Sequence, residues 1–563
     1  MPIPSEIPGS THRSPKIRFA FRFAIALVAI ATLLTALNHG PRDKLHSTDG
    51  TRAHAELPKY PISGYFVSSS ATDAKNLQKL QEIKAAGGDT VITFGTSVVP
   101  IAPDLLPEDC KINGENCATV AGSGIKINRY FTYSDGGQWG KAALKCPRDR
   151  YVENQGKSYT IMVFPSNDTG CTAKDGTYDI IVAGGSPLSA TDRTVSLASA
   201  ATKLGLKFYA GMPAPAKRTD FEYLPDTSFL NTFTAFTDRF LRYQAQANNA
   251  DGLTGFYHHL EMPVTDNPFF EPVLSLYKMQ NQAIHRILPG RSAIVSPYIE
   301  ARKDSANITP ENARNGIRKI AQTSGGLHLS IAIQDGMGTG KGAAYSAAEA
   351  GSRVDEFAAS IVGNGTWAGK YVAPNRDYFR AAAQGIVGTG ADLWANMEGM
   401  APATKDNPCN KSLRGQTTAD RIGRQLQQLG SAQKIISYMW DPYFTCKGAN
   451  PPLRDTLLTG LGSPLVTDSS YDAATGELRV EGFNLSGSSY TFELTSNGGA
   501  ERRISGEPTR IDASSGEPQT RNPRLESITI TTNLKKQTTE DSYAVSVSNK
   551  WGTSSDTGRP KSR

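Results

Sequence analysis

"ADLWANMEGM", Ala391 to Met400, is the stretch on which the reading of this chain turns. Residues two apart along a strand share a face. Leu393, Ala395 and Met397 therefore share one face, and Asp392, Trp394, Asn396 and Glu398 the other. The apolar face suits a layer of helices. The polar face then points into the interior of a closed sheet, with Glu398 at its upper end.

Seven other stretches have the same character. In order with the first they are "ISGYFVS" (Ile62–Ser68), "TVITFGTS" (Thr90–Ser97), "KFYAGMP" (Lys207–Pro213), "GFYHHLEM" (Gly255–Met262), "AIVSPYI" (Ala293–Ile299), "LHLSIAIQDGMG" (Leu327–Gly338), "ADLWANMEGM" and "KIISYMWDPYF" (Lys434–Phe444). Helical patterns lie between them, near 76–88, 190–204, 227–249, 267–287, 308–322, 346–386 and 416–429, and "LRDTLLTGLG" closes the set. Thr309 before Pro310 reads as a helix N-cap. Eight strand-helix units place residues 60–465 in the α/β class as a (β/α)8 TIM barrel. The alternative is a doubly wound open sheet. No glycine-rich phosphate loop follows the first strand, which weighs against a nucleotide-binding version.

Residues 98–176 carry four cysteines and many turn residues without helical period, and read as an insertion after the second strand, to which "YDIIVAGG" (178–185) is a candidate addition. From 468 to 555 the pattern changes. "ELRVEGFNL", "SYTFELTS", "ESITITTN" and "SYAVSVSNKWG" alternate apolar and polar residues, as in a small all-β sandwich. This part resembles the immunoglobulin-like domains appended to secreted polysaccharide-active enzymes. Residues 556–563 read as a disordered tail.

Arg13, Lys16, Arg18 and Arg22 precede Phe23–Leu37, the most apolar run in the chain, and residues 1–15 are expected to be a basic cytoplasmic tail. Residues 16–37 are expected to be a signal peptide or an N-terminal membrane anchor, with the bulk of the chain exported and 38–59 a linker. The six cysteines agree with export. Proximity in sequence pairs Cys110 with Cys117, Cys146 with Cys171, and Cys409 with Cys446, out of fifteen possible pairings. No CxxC spacing occurs, so no metal site or cofactor is expected. The formal net charge of +7 is mild for 563 residues and forms no basic stripe, which argues against nucleic acid as a partner. The Gly-rich "QDGMGTGKG" (Gln334–Gly342) lacks the Gly-Lys-Ser/Thr ending of a phosphate loop and reads as a flexible loop at the barrel top.

Active sites of such barrels lie at the C-terminal ends of the strands. Strand four ends at Glu261, strand six at Gln334 and Asp335, strand seven at Glu398, and strand eight at Trp440 and Asp441. Two glutamates converging over a barrel mouth suit glycosidic bond hydrolysis. One carboxyl protonates the leaving oxygen and the other attacks the anomeric carbon or activates water. Glu261 and Glu398 are the expected catalytic pair. Tyr65, His259, Tyr298, Gln334, Asp335, Trp394, Asn396, Trp440 and Asp441 are expected to contact substrate, with Phe66 and Tyr443 as further aromatics. His258 and His259 are adjacent and so face opposite ways, which disfavours a shared metal ion.

"PISGYFV", "GFYHHLEM", "IQDGMGTG" and "LWANMEGM" resemble the strand-end segments of an uncharacterised TIM-barrel family related to glycoside hydrolases. The resemblance covers about residues 60–465 and implies Glu261, Asp335 and Glu398 as site residues. This chain departs in His258-His259 and in the long insertion, which is placed to form a wall or lid over the cleft. By analogy with retaining hydrolases, Glu261 would be the acid/base and Glu398 the nucleophile. The expected function is an exported glycoside hydrolase acting on an extracellular or cell-envelope polysaccharide. The alternative is a non-catalytic surface protein that binds glycan or protein on a degenerate barrel.

Overall fold

The computed structural model describes residues 60–560 except 222, 249–250, 410–411, 413, 449, 461, 496–500, 507–509, 514–521 and 533–540. The basic and apolar N-terminal segment and its linker lie outside the described residues. Among the described residues no helix is long and apolar enough to cross a membrane.

Eight parallel strands close into a barrel: β1 (Ile62–Phe66), β2 (Thr90–Ile92), β3 (Lys207–Gly211), β4 (Leu253–Tyr257), β5 (Ser292–Val295), β6 (Leu329–Gln334), β7 (Asp392–Glu398) and β8 (Lys434–Tyr438). Each pairs with its neighbours in chain order, and β8 pairs with β1. The eight stretches expected to be strands are these eight. Side-chain parity explains the two layers. One residue from each strand fills the barrel interior: Phe66, Ile92, Tyr209, Tyr257, Ile294, Ala332, Trp394 and Ile436. Leu393, Ala395 and Met397 of β7 join the larger apolar layer between strands and helices.

Helices follow each strand. The helix Glu271–Ile287 buries Val273, Leu276, Tyr277, Gln280, Ala283 and Ile284 on one face, at helical spacing. Thr309 caps Pro310–Ala321, its hydroxyl accepting from Asn312 N–H at 3.2 Å. The helical sequence expected over 346–386 forms three helices, Glu356–Val362, Trp367–Lys370 and Asn375–Ile386. Gly363 ends the first piece at φ 72°, and Pro374 stands at the cap of the last.

The insertion supplies five strands of a six-stranded mixed sheet, and Ala214–Pro215, just after β3, adds the sixth. The sheet order is Ala214–Pro215, Ser97–Ile101, Lys126–Tyr133, Thr177–Pro187, Lys157–Pro165, Arg150–Asn154. The insertion therefore runs to Pro187, beyond the expected limit of 176, because "YDIIVAGG" supplies its central strand. Trp139 of the insertion stacks on Tyr243 of the helix Leu230–Ala247 with ring centroids 4.9 Å apart. Beneath it the buried Arg239–Asp149 pair closes at 2.8 Å. The three disulfides are Cys110–Cys117, Cys146–Cys171 and Cys409–Cys446, as proximity suggested.

After the helix Leu453–Thr459, two four-stranded antiparallel sheets stack around Val466, Leu478, Val480, Phe492, Ile528, Val545 and Val547. This is a two-sheet sandwich, and the immunoglobulin-like likeness goes no further than that. It starts at Leu465, and its last strand, Gly552–Gly558, runs through part of the stretch expected to be a disordered tail.

Candidate active site

The C-terminal ends of the barrel strands enclose a cavity of about 470 Å³. Glu261, which follows β4, and Glu398, the last residue of β7, both line it. Two further cavities, of about 260 and 390 Å³, continue the space sideways, and Lys341 lines all three. The result is a cleft across the barrel mouth. Ser97 of the insertion forms part of its wall.

Glu398 is buried, 3% exposed. Thr339 N–H donates to its Oε2 at 2.8 Å, and the Thr339 hydroxyl lies 3.2 Å from the same oxygen. Burial raises its pKa, opposed by the charge of Lys341, the two bonds from Thr339 and the charge of Arg414. Glu261 is ringed by protein yet open to the water of the cleft. Its pKa is raised by desolvation, with the Glu398 charge adding to the rise, while a hydrogen bond from Gln334 and the charges of Lys341 and Lys217 pull the other way. Two carboxyls thus share one space, with different surroundings. Glu398 is held by fixed donors, and Glu261 faces the cleft.

Tightness of the Gln334–Gly342 loop sets the position of Glu398. Gly336 and Gly340 adopt positive φ of 68° and 72°, and Lys341 and Gly342 N–H both return to the Gly336 carbonyl at 2.8 and 2.9 Å. A Cβ at Gly338 would stand 2.9 Å from Glu398 Cβ. The loop expected to be flexible is therefore closed by its own hydrogen bonds and packed onto the glutamate.

The structure places the other expected contact residues unequally. His259, Gln334 and Asn396 line the central cavity, and Tyr298 lines the two side cavities beneath the Lys341 ammonium, 3.8 Å from its ring centroid. Gln334 donates to the Ser296 carbonyl at 2.8 Å and Asn396 to the Ser296 hydroxyl at 3.0 Å, so both amides are fixed. His259 Nδ1 is buried without a partner among the described residues, and desolvation lowers the pKa of the ring. His258 faces the other way. It is fully buried, with Nδ1 2.8 Å from Gln280 Oε1 and Nε2 2.7 Å from Asn281 Oδ1, and it fastens the strand end to the helix.

Five expected contacts are corrected. Tyr65 is fully buried against Trp440 and Phe444, in the layer between barrel and helices. It has the opposite parity to Gly64 and Phe66, which face inward. Trp440 lies in the same outer layer because β8 ends at Tyr438 and the chain turns over the barrel rim. Trp394 faces inward but fills the barrel interior below the cleft, against Tyr209. Asp441 is taken by Lys79 at 2.6 Å. Asp335 is fully buried, and all its acceptor positions face protein: Oδ1 accepts Glu398 N–H and Met337 N–H, each at 3.1 Å, and Oδ2 accepts Gln425 Nε2 at 2.8 Å. Gln425 also donates to the Glu398 carbonyl at 2.9 Å. Asp335 thus fixes the end of β7 rather than reaching substrate. Its pKa is raised by burial and by the Glu398 charge.

The aromatic wall of the central cavity is Phe94, Tyr257, Tyr438 and Tyr443. Parity would have found two of these, since Phe94 follows the inward Ile92 and Tyr438 the inward Ile436. Phe66 packs beneath them, fully buried. Lys341, Lys217, Thr339, Arg414 and Tyr223 come from loops and have no strand period to reveal them. Tyr223 lines both side cavities and Phe270 the larger of them, and Phe221 and Phe269, ring centroids 5.9 Å apart, are 50% and 41% exposed. Among the described residues no group of three metal-ligating side chains occurs.

No family model and no curated protein matches the chain, so the resemblance read from four strand-end segments has no matching family behind it. Among solved structures, a Bacteroides thetaiotaomicron protein described as an alpha-L-fucosidase aligns with TM-score 0.40 and 13% identity over 74% of this chain and 97% of its own. Bacteroides uniformis beta-glucuronidase 3 aligns with TM-score 0.30 and 10% identity over 90% of this chain, which spans 49% of that protein. A glycosyl hydrolase family 2 member from Bacteroides cellulosilyticus gives TM-score 0.30 and 8% identity, over 88% of this chain and 61% of its own. Likenesses this distant carry no argument about chemistry.

Proposed function

We propose that this chain is a glycoside hydrolase acting on a polysaccharide, with Glu261 as acid/base and Glu398 as nucleophile or electrostatic partner. The observation that carries the reading is the convergence of these two carboxyls on one aromatic-walled cavity at the C-terminal mouth of the barrel. Their surroundings suit the roles. Glu261 faces open space with a raised pKa, as a group that must hold a proton for a leaving oxygen should. Glu398 is oriented by Thr339, and Lys341 and Arg414 offset part of the rise that burial gives its pKa, which favours the ionised form its role needs. Phe94, Tyr438 and Tyr443 offer ring faces on which a sugar can stack.

The length of the cleft favours a polymer. Three adjoining cavities, with Tyr223 and Tyr298 along two of them, provide room for several sugar units rather than one. Export to a cell surface or beyond remains part of the proposal. The three disulfides support it, since such bonds persist in oxidising compartments. The test is release of reducing ends from a panel of extracellular and envelope polysaccharides by residues 60–563. Turnover of at least one polymer is expected. Tight binding with no turnover of any would favour the non-catalytic glycan-binding reading instead.

A further inference from the structure

In the two cavities that Glu261 lines, three cations face two carboxylates. Lys341 Nζ lies over the Tyr298 ring at 3.8 Å and, among the described residues, makes no ion pair or hydrogen bond. The exposed Lys217 lines the adjoining cavity on one side of Glu261, the half-buried Arg414 lines the central cavity beside Glu398, and their side chains have no ion-pair partner among the described residues either. The other carboxylates, Glu300 and Asp266, line the outer cavity. Glu300 accepts Arg302 Nε at 2.7 Å, and Asp266 accepts the amides of Asn312 and Asn315 at 3.2 and 3.4 Å. Three cations, from the loops after β3, β6 and β7, thus surround the place where the reacting sugar would lie. Compensation of Glu261 and Glu398 accounts for part of this charge. Two carboxylates leave one of the three cations uncompensated.

We infer that the glycan taken by this site is anionic, with a carboxylate or sulfate group on a sugar unit at or next to the cleaved bond held by Lys341 together with Lys217 and Arg414. Charged hydrogen bonds of this kind are shorter and stronger than neutral ones, and a desolvated ammonium without a protein partner is placed to make them. The inference rests on the hydrolase reading for the placement of the sugar, but its test does not.

The experiment measures binding by the Glu398→Gln protein. The probes are polygalacturonate and its carboxyl-reduced form, and dextran sulfate and dextran, with the same acidic-to-neutral comparison repeated for any polymer that wild type cleaves. Tighter binding of an acidic polymer than of its neutral counterpart is expected, with the carboxylate and sulfate arms telling the two sources apart. Adding Lys341→Gln should weaken acidic binding roughly 10–100-fold and leave neutral binding little changed. A catalytic pKa change would not alter that ratio in an inactive protein. Equal binding of acidic and neutral forms, binding of neither, or an unchanged ratio in the Lys341→Gln protein overturns the inference. If wild type also cleaves a neutral glycan, the hydrolase reading survives that loss. If acidic glycans bind and none is cleaved, the hydrolase reading fails while the inference stands.

Discussion

Replacing Asp335 probes how Glu398 is held. At this fully buried position Asp335 accepts from Glu398 N–H, Met337 N–H and Gln425 Nε2. Asp335→Ala strands three buried donors. At about 1–3 kcal/mol for each orphaned group, and with some entry of water, the loss comes to roughly 3–6 kcal/mol. Asp335→Asn keeps one oxygen for the two backbone donors but turns an NH2 toward Gln425 Nε2, donor against donor, for about 1–3 kcal/mol. If Gln425 rotates to offer its unpartnered Oε1, it gives up the Glu398 carbonyl, so one bond is lost either way. Urea unfolding followed by tryptophan fluorescence reads this out, since Trp139, Trp367, Trp394 and Trp440 lie outside the sandwich and Trp551 alone within it. The pH dependence has a definite sign. The folded state holds the Asp335 proton more tightly than the unfolded chain, so wild type loses stability as pH rises above the ordinary carboxylate range toward the raised folded value. The amide introduced by Asp335→Asn does not titrate there, so the deficit of that variant against wild type should narrow with rising pH. Because Asp335 anchors the backbone of Glu398, kcat should also fall in Asp335→Asn, by up to about 100-fold for an ångström of displacement. An Asp335→Ala protein within about 0.5 kcal/mol of wild type would refute the reasoning, since that is the scale of an uninvolved surface change.

Tyr65→Ala should cost about 3–5 kcal/mol by opening a core cavity, with glycan KM unchanged; a raised KM at unaltered stability would return Tyr65 to the cleft. Reducing Cys409–Cys446 releases a link across 37 residues, about 4 kcal/mol by chain entropy, and frees the loop whose Ser412 hydroxyl donates to Tyr443 Oη at 2.7 Å. Thermal unfolding and glycan KM under reductant measure both effects. For activity, Glu398 must be ionised and Glu261 protonated, so the pH–rate profile should be bell-shaped. Lys341→Met removes a charge that lowers the Glu398 pKa, so the acidic limb should move to higher pH; an unmoved limb would separate Lys341 from Glu398.

The barrel was legible because period-two alternation and helix-start signals act locally, and each strand carries its own. The same parity that placed Trp394, Asn396 and Glu398 inward would have turned Tyr65 outward and brought in Phe94 and Tyr438 had it been applied to β1, β2 and β8. Trp440 defeated it for a physical reason: the strand ends two residues earlier. Asp335 looked like a substrate contact because nothing in the local sequence reveals Gln425, ninety residues away, as its partner. Lys341, Thr339 and Arg414 come from loops whose course is set by glycine conformation and tertiary contact, so no pattern in the chain marks them as cleft residues. The insertion ran past its expected end because its central strand alternates little and reads like any buried strand.

The most direct test of the account is glycan hydrolysis by Glu261→Gln and Glu398→Gln beside wild type, with folding checked by circular dichroism. Each variant should remain folded and lose at least about 100-fold in kcat, the low end of what a positioned acid, base or nucleophile supplies. Wild-type turnover by either folded variant would contradict the assignment of the cleavage chemistry to this pair.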